Sequence, residues 1–522
     1  MPTEASLGPP RGTWLAVLGA CALILAPTLG YRMGLDQGVF AYLGAELLEG
    51  RWPYLETWDH SFPGLAFLQS LEIALLGRSI AAFRLFDFCV TLASAALIFR
   101  IGWWLGARAG AGLGACTFAL IYQGYGAWNT AQREGFGLCL LLLGFWGFLT
   151  WGRRRPALTA AGVGLAFGAA VAIKPTLAMF ALAYAPLLRR PRVPVLLAGG
   201  FAAALPAAVF VVLYAVRGGL PDLFEACIAF QTEVYVDRLQ DLGWVDRLSR
   251  LGLQSWGIAI VCAPFVLRGR DPQRSARAML YLGYLAVVAA VAMGGTFAGY
   301  HYLPGLGIGA ILLGNVYAQV VEGFARGRSV RFAGVRVEAA WGLVVAAVLA
   351  ALPIYVDGAS LQRLVTGQFL ADPAPGEFRI STDAGTVFDF TEDFELAEYL
   401  RQRTRPSDRI QVWGHESLVY YLAERDAASR FQTSNPLVTL PADGVLTPMQ
   451  SRWRAEFLRD LEARPPRYVV VTRNDHWWWA PGERSSEQLL DDFPEWKAWI
   501  RERTRLEGEV GRFLVYRVES EE

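Results

Sequence analysis

The sequence predicts a polytopic α-helical membrane protein of about eleven transmembrane helices carrying a C-terminal exported α/β domain. Three observations predict it. Of 522 residues, 54% are hydrophobic and 18 are tryptophan, more apolar and more aromatic than an ordinary soluble enzyme of this size. Apolar segments recur at the length needed to cross a hydrocarbon core of about 30 Å. At about residue 357 the chain turns polar and proline-punctuated. A formal net charge of +1 gives no electrostatic drive toward a polyanion, so no nucleic-acid partner is expected. The six cysteines, Cys21, Cys89, Cys116, Cys139, Cys227 and Cys262, show neither a C-x-x-C pair nor a zinc spacing. They read as small core residues of apolar segments.

The spans fall near residues 13–31, 80–105, 111–127, 135–151, 157–173, 176–188, 193–216, 252–267, 277–295, 300–320 and 338–356. The first lacks a small-residue cleavage site and runs into Tyr31-Arg32, so it reads as an uncleaved anchor with a cytoplasmic N-terminus. Loop arginines test the count, because arginine-rich loops stay cytoplasmic. Arg100 and Arg108, Arg153 to Arg155, Arg189 to Arg192, Arg268 to Arg277 and Arg326 to Arg336 mark alternate loops, and eleven spans put all five groups on one side. The run 61–77, "SFPGLAFLQSLEIALLG", is short and contains Glu72. Counting it as a span would move every later arginine loop outside, so it reads as an amphipathic helix in the outer interface. One helix over 157–188 would separate Arg153–Arg155 from Arg189–Arg192. Two short helices meeting near Lys174-Pro175 on the outer side keep them together.

This topology divides the chain into a transmembrane domain, residues 1–356, whose first outer loop is 32–79, and an exported domain, residues 357–522. In the latter, "TEDFELAEYLRQRT", "ESLVYYLAE" and "FPEWKAWIRERT" read as helices and "RIQVWG", "RYVVVT" and "FLVYRV" as strands. No internal repeat is visible. Ala and Gly in the spans suit close helix packing.

The outer face collects the chemistry. Asp36 lies in "GLDQG" just past the first span. A carboxylate near low-dielectric surroundings can take a proton from a hydroxyl, and a hydrated loop aspartate is the plain alternative. Only two of 48 basic residues are lysines, Lys174 and Lys497. Lys174 therefore stands out in the membrane region, either snorkelling to the interface or binding an anion. His301, between Tyr300 and Tyr302, fits either an aromatic belt or an anion site. Arg133-Glu134 enters the fourth span from outside, as a structural pair or as functional groups. In "NDHWWWAPGE" (474–483), Trp477, Trp478 and Trp479 suit membrane docking, acceptor stacking or a packed corner. His415 and His476 lack metal-ligand spacing.

The run Asp36-x-Gly38, "GRWPYLETWDHSFPG" and "LLGRSIAAFRLFD", followed by "KPT" (174–176), "HYLPG" (301–305), "QVWGHESLVYYLAERDAASRF" and "PPRYVVV", resembles the C superfamily of polyprenyl-phosphate-sugar glycosyltransferases. That superfamily includes the protein O-mannosyltransferase, aminoarabinose-transferase and Rgt-like types. The resemblance spans most of the chain and implies the glycosyltransferase C fold. It further implies inverting transfer of a monosaccharide from a polyprenyl-phosphate carrier to a hydroxyl acceptor at the outer face of the cytoplasmic membrane. Asp36 matches the first-loop aspartate, the general base. Asp59 matches a second acidic position, but the lysine and prolines that follow it in the family are replaced by His60-Ser61-Phe62-Pro63.

Lys174, His301 and Arg133 are then the candidate donor-phosphate ligands, and Asp59, Glu134, Tyr302 and His60 the candidates for orienting acceptor or sugar. A divalent metal bridging Asp36, Glu134 and phosphate would suit oxygen ligands, and no spacing selects for or against it. The implied partners are the lipid-linked sugar, a hydroxyl acceptor (lipid, polysaccharide or protein) and the bilayer. Two rivals differ in class. A transporter or flippase of lipid-linked sugars would place ionisable groups at the bilayer midplane with inverted repeats. A noncatalytic envelope assembly protein would release no free polyprenyl phosphate.

Overall fold

The computed structural model describes residues 8–152, 154–189, 192–235, 243–268, 273–325, 331–332, 335–336, 379–381, 387–475 and 484–519. The expected span at 338–356 and the tryptophans 477–479 lie outside them. The chain divides into two compact units, each discontinuous in sequence. One gathers Met1–Tyr31, Phe83–Phe210 and Leu242–Phe369, and the other Arg32–Ala82, Val211–Asp241 and Leu370–Glu522.

The first unit is helical. Six helices, wholly or mostly within it, are long and apolar enough to cross a membrane: Arg11–Gly30, Ile80–Trp104, Arg133–Trp151, Pro156–Ile173, Val193–Val216 and Arg274–Gly294. The chain is a multi-pass membrane protein. Helices Arg108–Gly124, Gly252–Arg268 and Leu303–Ala325 occupy three more expected spans. Val193–Val216 turns Leu196, Leu197, Phe201, Leu205 and Val209 outward, a surface suited only to lipid.

Small residues set the packing. A Cβ on Gly110 would lie 1.9 Å from the Gly314 carbonyl oxygen, and one on Gly114 2.4 Å from that of Ala310. Helices Arg108–Gly124 and Leu303–Ala325 therefore touch backbone to backbone.

The break expected at Lys174 is present, in a different form. Helix Pro156–Ile173 ends at Lys174, which is extended (φ −142°, ψ 104°) as the residue before a proline must be. Pro175–Arg189 then forms a 3-10 helix. At a rise of about 2 Å per residue its 15 residues reach about 30 Å, farther than the same residues in an α-helix.

The second unit begins with helix α1 (Leu35–Leu48) and helix α2 (Gly64–Leu76). At about 20 Å, α2 is short of a span. Leu65, Ala66, Gln69, Glu72 and Ile73 are buried, while Leu71, Leu75 and Leu76 face outward. The unit also contains a four-stranded sheet ordered β1 (Ile410–Trp413), β2 (Tyr468–Thr472), β4 (Phe513–Val518) and β3 (Thr504–Val510). β1 and β2 pair in parallel, and the other pairs are antiparallel. β1 and β2 are buried throughout, as their unbroken β-branched and aromatic runs require. Helices α3 (Thr391–Arg403), α4 (Ser417–Ala423), α5 (Pro448–Ala463) and α6 (Pro494–Arg503) complete the unit.

Candidate active site

The functional candidates fall into two groups, one in each unit. In the membrane unit the "NTAQRE" turn is shaped by Ala131, whose φ of +53° is a left-handed conformation that costs an alanine energy. The turn is held from outside. The Ala131 N–H donates to the Tyr122 hydroxyl at 2.8 Å, and Tyr122 in turn donates to Asp87 Oδ1. Arg84 donates to Thr130 Oγ1 at 3.1 Å and to the Ala127 carbonyl at 3.0 Å. All three supporting side chains, Arg84, Asp87 and Tyr122, are buried.

Arg133-Glu134 follows as the first turn of helix Arg133–Trp151, where the dipole favours the carboxylate. Glu134 reaches groups far from it in sequence. Its Oε1 lies 2.9 Å from Lys174 Nζ and 2.7 Å from His301 Nδ1, and the carboxylate is only 2% exposed. Oε2 is buried and has no hydrogen-bond partner among the described residues. Lys174 thus meets an anion inside the protein. His301 is braced by an edge contact with Tyr300 at 4.4 Å. The Tyr302 hydroxyl donates to the Arg250 carbonyl at 3.1 Å. The Arg133 charge also acts on the Glu134 carboxylate.

In the second unit, Asp36 is in the first turn of α1, whose N-terminus is closed by the Gly34 N–H donating to Gln37 Oε1 at 2.7 Å. The positive end of the helix favours an ionised Asp36. Two residues on, a Cβ on Gly38 would lie 2.6 to 2.8 Å from Leu418 Cβ, Cα and N, so the Asp36 helix touches the backbone of α4. Tyr42 and Tyr420 pack at 5.3 Å, and Tyr42 Oη accepts from the Ala427 N–H.

Asp59 and His60 sit in a loop clamped by the segment after α4. The Trp58 N–H donates to the Arg430 carbonyl (2.7 Å) and to Gln432 Oε1 (3.0 Å), and Gln432 Nε2 donates back to the Trp58 carbonyl. Arg430 donates to the Tyr54 carbonyl, Asp222 and Glu456. Asp59 is buried (6% exposed), 3.6 Å from His60 Nδ1. His415 is half-buried one position before α4's N-cap, and desolvation with the nearby His60 charge holds its ring down to about 3.

No three His, Cys, Asp or Glu side chains come together as a metal-binding set among the described residues. Glu134, the expected bridging ligand, has one oxygen committed to Lys174 and His301. Arg84, Asp87, Tyr122, Arg430 and Gln432 were not singled out from the sequence. The signal for the first two was a pair of opposite charges one turn apart within an apolar helix.

Among solved structures the chain is similar to ArnT from Cupriavidus metallidurans bound to undecaprenyl phosphate, with a TM-score of 0.58 over 97% of this chain and 98% of that one at 13% identity. The apo state of the same protein gives 0.56 over the same shares at 14% identity. The chain has the ArnT-like glycosyltransferase C fold. No family model matches the sequence, and no curated protein matches it. Within a glycosyltransferase C fold, the segment directly after the first membrane helix carries Asp36, and the "NTAQRE" turn carries Glu134.

Proposed function

We propose that this protein is an inverting glycosyltransferase. It moves a monosaccharide from a polyprenyl-phosphate carrier to a hydroxyl acceptor at the outer face of the cytoplasmic membrane. The observation that carries the reading is the likeness of nearly the whole chain to ArnT, whose structure was obtained with undecaprenyl phosphate. The loop arginines support a cytoplasmic N-terminus and an extracytoplasmic C-terminal domain, residues 357–522.

The acceptor oxygen attacks the anomeric carbon opposite the phosphate, the sugar–phosphate C–O bond breaks, and polyprenyl phosphate departs with the electron pair. Asp36 takes the acceptor proton. Its place in the first turn of a clamped helix fixes it, as a base requires. Lys174 and Arg133, with His301, stabilise the departing phosphate. Glu134 holds the Lys174 and His301 side chains in one geometry. Asp59, His60 and Tyr302 orient sugar or acceptor.

The test is release of free polyprenyl phosphate by the protein in nanodiscs, with mass spectrometry of the co-purifying lipid. Asp36→Asn is expected to stop release, by at least 100-fold, while the lipid-linked sugar still co-purifies. Full activity of that variant would remove Asp36 as the base. Absence of any polyprenyl lipid and of any release in the wild type would overturn the reading itself.

A further inference from the structure

Three successive residues of the clamped loop carry buried polar atoms that have no hydrogen-bond partner among the described residues: Thr57 Oγ1, Trp58 Nε1 and Asp59 Oδ2. Their residues are 1%, 2% and 6% exposed. Buried polar groups are almost always satisfied, so a run of three asks for a ligand. The backbone of the loop, in contrast, is held at Trp58, whose N–H and carbonyl are both bonded to the Arg430–Gln432 segment. The frame is fixed and the side chains are what remain to be satisfied.

The surroundings specify the ligand's chemistry. Two consecutive π-helical turns, Glu225–Ala229 and Gln231–Tyr235, line this loop, and such turns recur at functional sites. They supply Phe230, edge-on to Trp58 at 5.0 Å, and Tyr235, stacked on His60 at 5.5 Å and 25°. They also supply Gln231, whose Nε2 donates to the His60 carbonyl at 3.3 Å. Trp453 closes on Trp58 at 5.7 Å. His60, Gln231 and Tyr235 are half-buried and form the rim, and Trp58 and Asp59 lie behind them.

Aromatic faces beside a carboxylate acceptor and an indole N–H donor match one class of molecule. A sugar ring offers C–H faces to the rings, hydroxyl donors to the carboxylate and hydroxyl acceptors to the indole. A phosphate would be repelled by Asp59, and a prenyl chain would leave all three atoms unsatisfied.

We propose that Thr57 to His60, with Tyr235 and Trp453, form a carbohydrate-ring subsite. As the subsite of a glycosyltransferase it rests on the function proposed above, and its sugar is that of either the acceptor or the lipid-linked donor.

The experiment uses the full chain in nanodiscs. Saturation-transfer NMR is recorded with methyl α-mannoside, methyl β-galactoside and methyl N-acetyl-β-glucosaminide, and the co-purifying glycolipid is quantified by mass spectrometry. Tyr235→Ala, Tyr235→Phe and Asp59→Asn are compared, with thermal unfolding as the folding control. If Tyr235→Ala does not fold, Asp59→Asn carries the comparison.

An acceptor site predicts transfer to at least one glycoside in the wild type, at least 10-fold weaker in Tyr235→Ala and Asp59→Asn and retained in Tyr235→Phe, with glycolipid unchanged. A donor site predicts instead that co-purifying glycolipid falls at least 10-fold in the same two variants. No glycoside transfer with glycolipid unchanged across folded variants overturns the subsite, and continued polyprenyl phosphate release in that case leaves the transferase reading intact. Glycoside binding in a protein that never releases polyprenyl phosphate overturns the transferase reading and leaves the subsite.

Discussion

In the membrane unit the buried Glu134 carboxylate has Lys174 at 2.9 Å and His301 at 2.7 Å. In the second unit the buried Asp59 carboxylate has the His60 ring at 3.6 Å, with Oδ2 unsatisfied among the described residues. Both are acids removed from water, yet one is neutralised by elements distant in sequence and the other is framed by neutral aromatics. The difference separates two ways of using a buried charge. Where the partner is built in, the group holds other side chains in place. Where the partner is missing, the group is available to a ligand.

The largest expected effect breaks the first arrangement. Glu134→Ala removes the buried carboxylate shared by Lys174 and His301 and is expected to cost about 3–5 kcal/mol, read as a lowered unfolding temperature of the protein in nanodiscs. Glu134→Ala combined with Lys174→Met should recover much of that loss, because removing both partners removes the uncompensated charge. If the double variant is as unstable as the single one, the ion pair is not what stabilises this turn.

Next comes the clamp that frames Asp59. Arg430→Ala leaves the Tyr54 carbonyl, Asp222 and Glu456 without their shared donor. A loss of about 2–4 kcal/mol is expected, concentrated in the second unit and visible as faster hydrogen exchange at Tyr54 to His60. Unchanged exchange there would show that Gln432 alone fixes the loop.

These clusters also explain what was legible in the sequence. The membrane helices were, because apolar length is a local property. So were the β1, β2 and β4 strands, whose β-branched runs carry their own signal. The partners of Glu134 were not, since His301 is 167 residues away and only the fold brings it near. Strand β3, "TRLEGEV", has no apolar pattern and is mostly exposed; its antiparallel partner β4 makes it a strand. Helix α5 was not read from the sequence, although Thr447-Pro448 and the Thr447–Gln450 capping box are a helix start signal. The break at Lys174 was visible because Pro175 acts on its immediate neighbour, but the 3-10 form of Pro175–Arg189 depends on packing.

A smaller effect, opposite in sign for two groups, comes from pH. Burial pushes the Glu72 carboxyl up to about 8 from 4.5, so the unfolded chain releases that proton first and stability falls as pH rises from about 4.5 to 8. Burial holds His415 down to about 3 from 6.5. The unfolded chain binds that proton first, and stability falls as pH drops from about 6.5 toward 3. Unfolding temperatures measured across pH should show Glu72→Gln flattening the upper limb and His415→Gln the lower one. A Glu72→Gln profile identical to the wild type would mean that Glu72 does not stay protonated in the fold.

The smallest change tests whether Asp36 depends on its clamp as Asp59 does. A methyl group at residue 38 meets Leu418 Cβ at 2.6 Å and its backbone Cα and N at 2.7 and 2.8 Å, where no flexible side-chain end can give way, so α1 and α4 must move apart. Gly38→Ala is expected to cost about 1–3 kcal/mol of stability. If Asp36 is the base, it should also lower kcat several-fold with little change in KM, because the carboxylate moves relative to the acceptor while the binding surfaces stay in place. Leu418→Ala removes only the atoms beyond Cβ and leaves Leu418 Cβ, Cα and N where they are, so on the Gly38→Ala background it should restore little. Substantial rescue would mean that the contact is made by side chains and that α1 is positioned by something other than the backbone of α4.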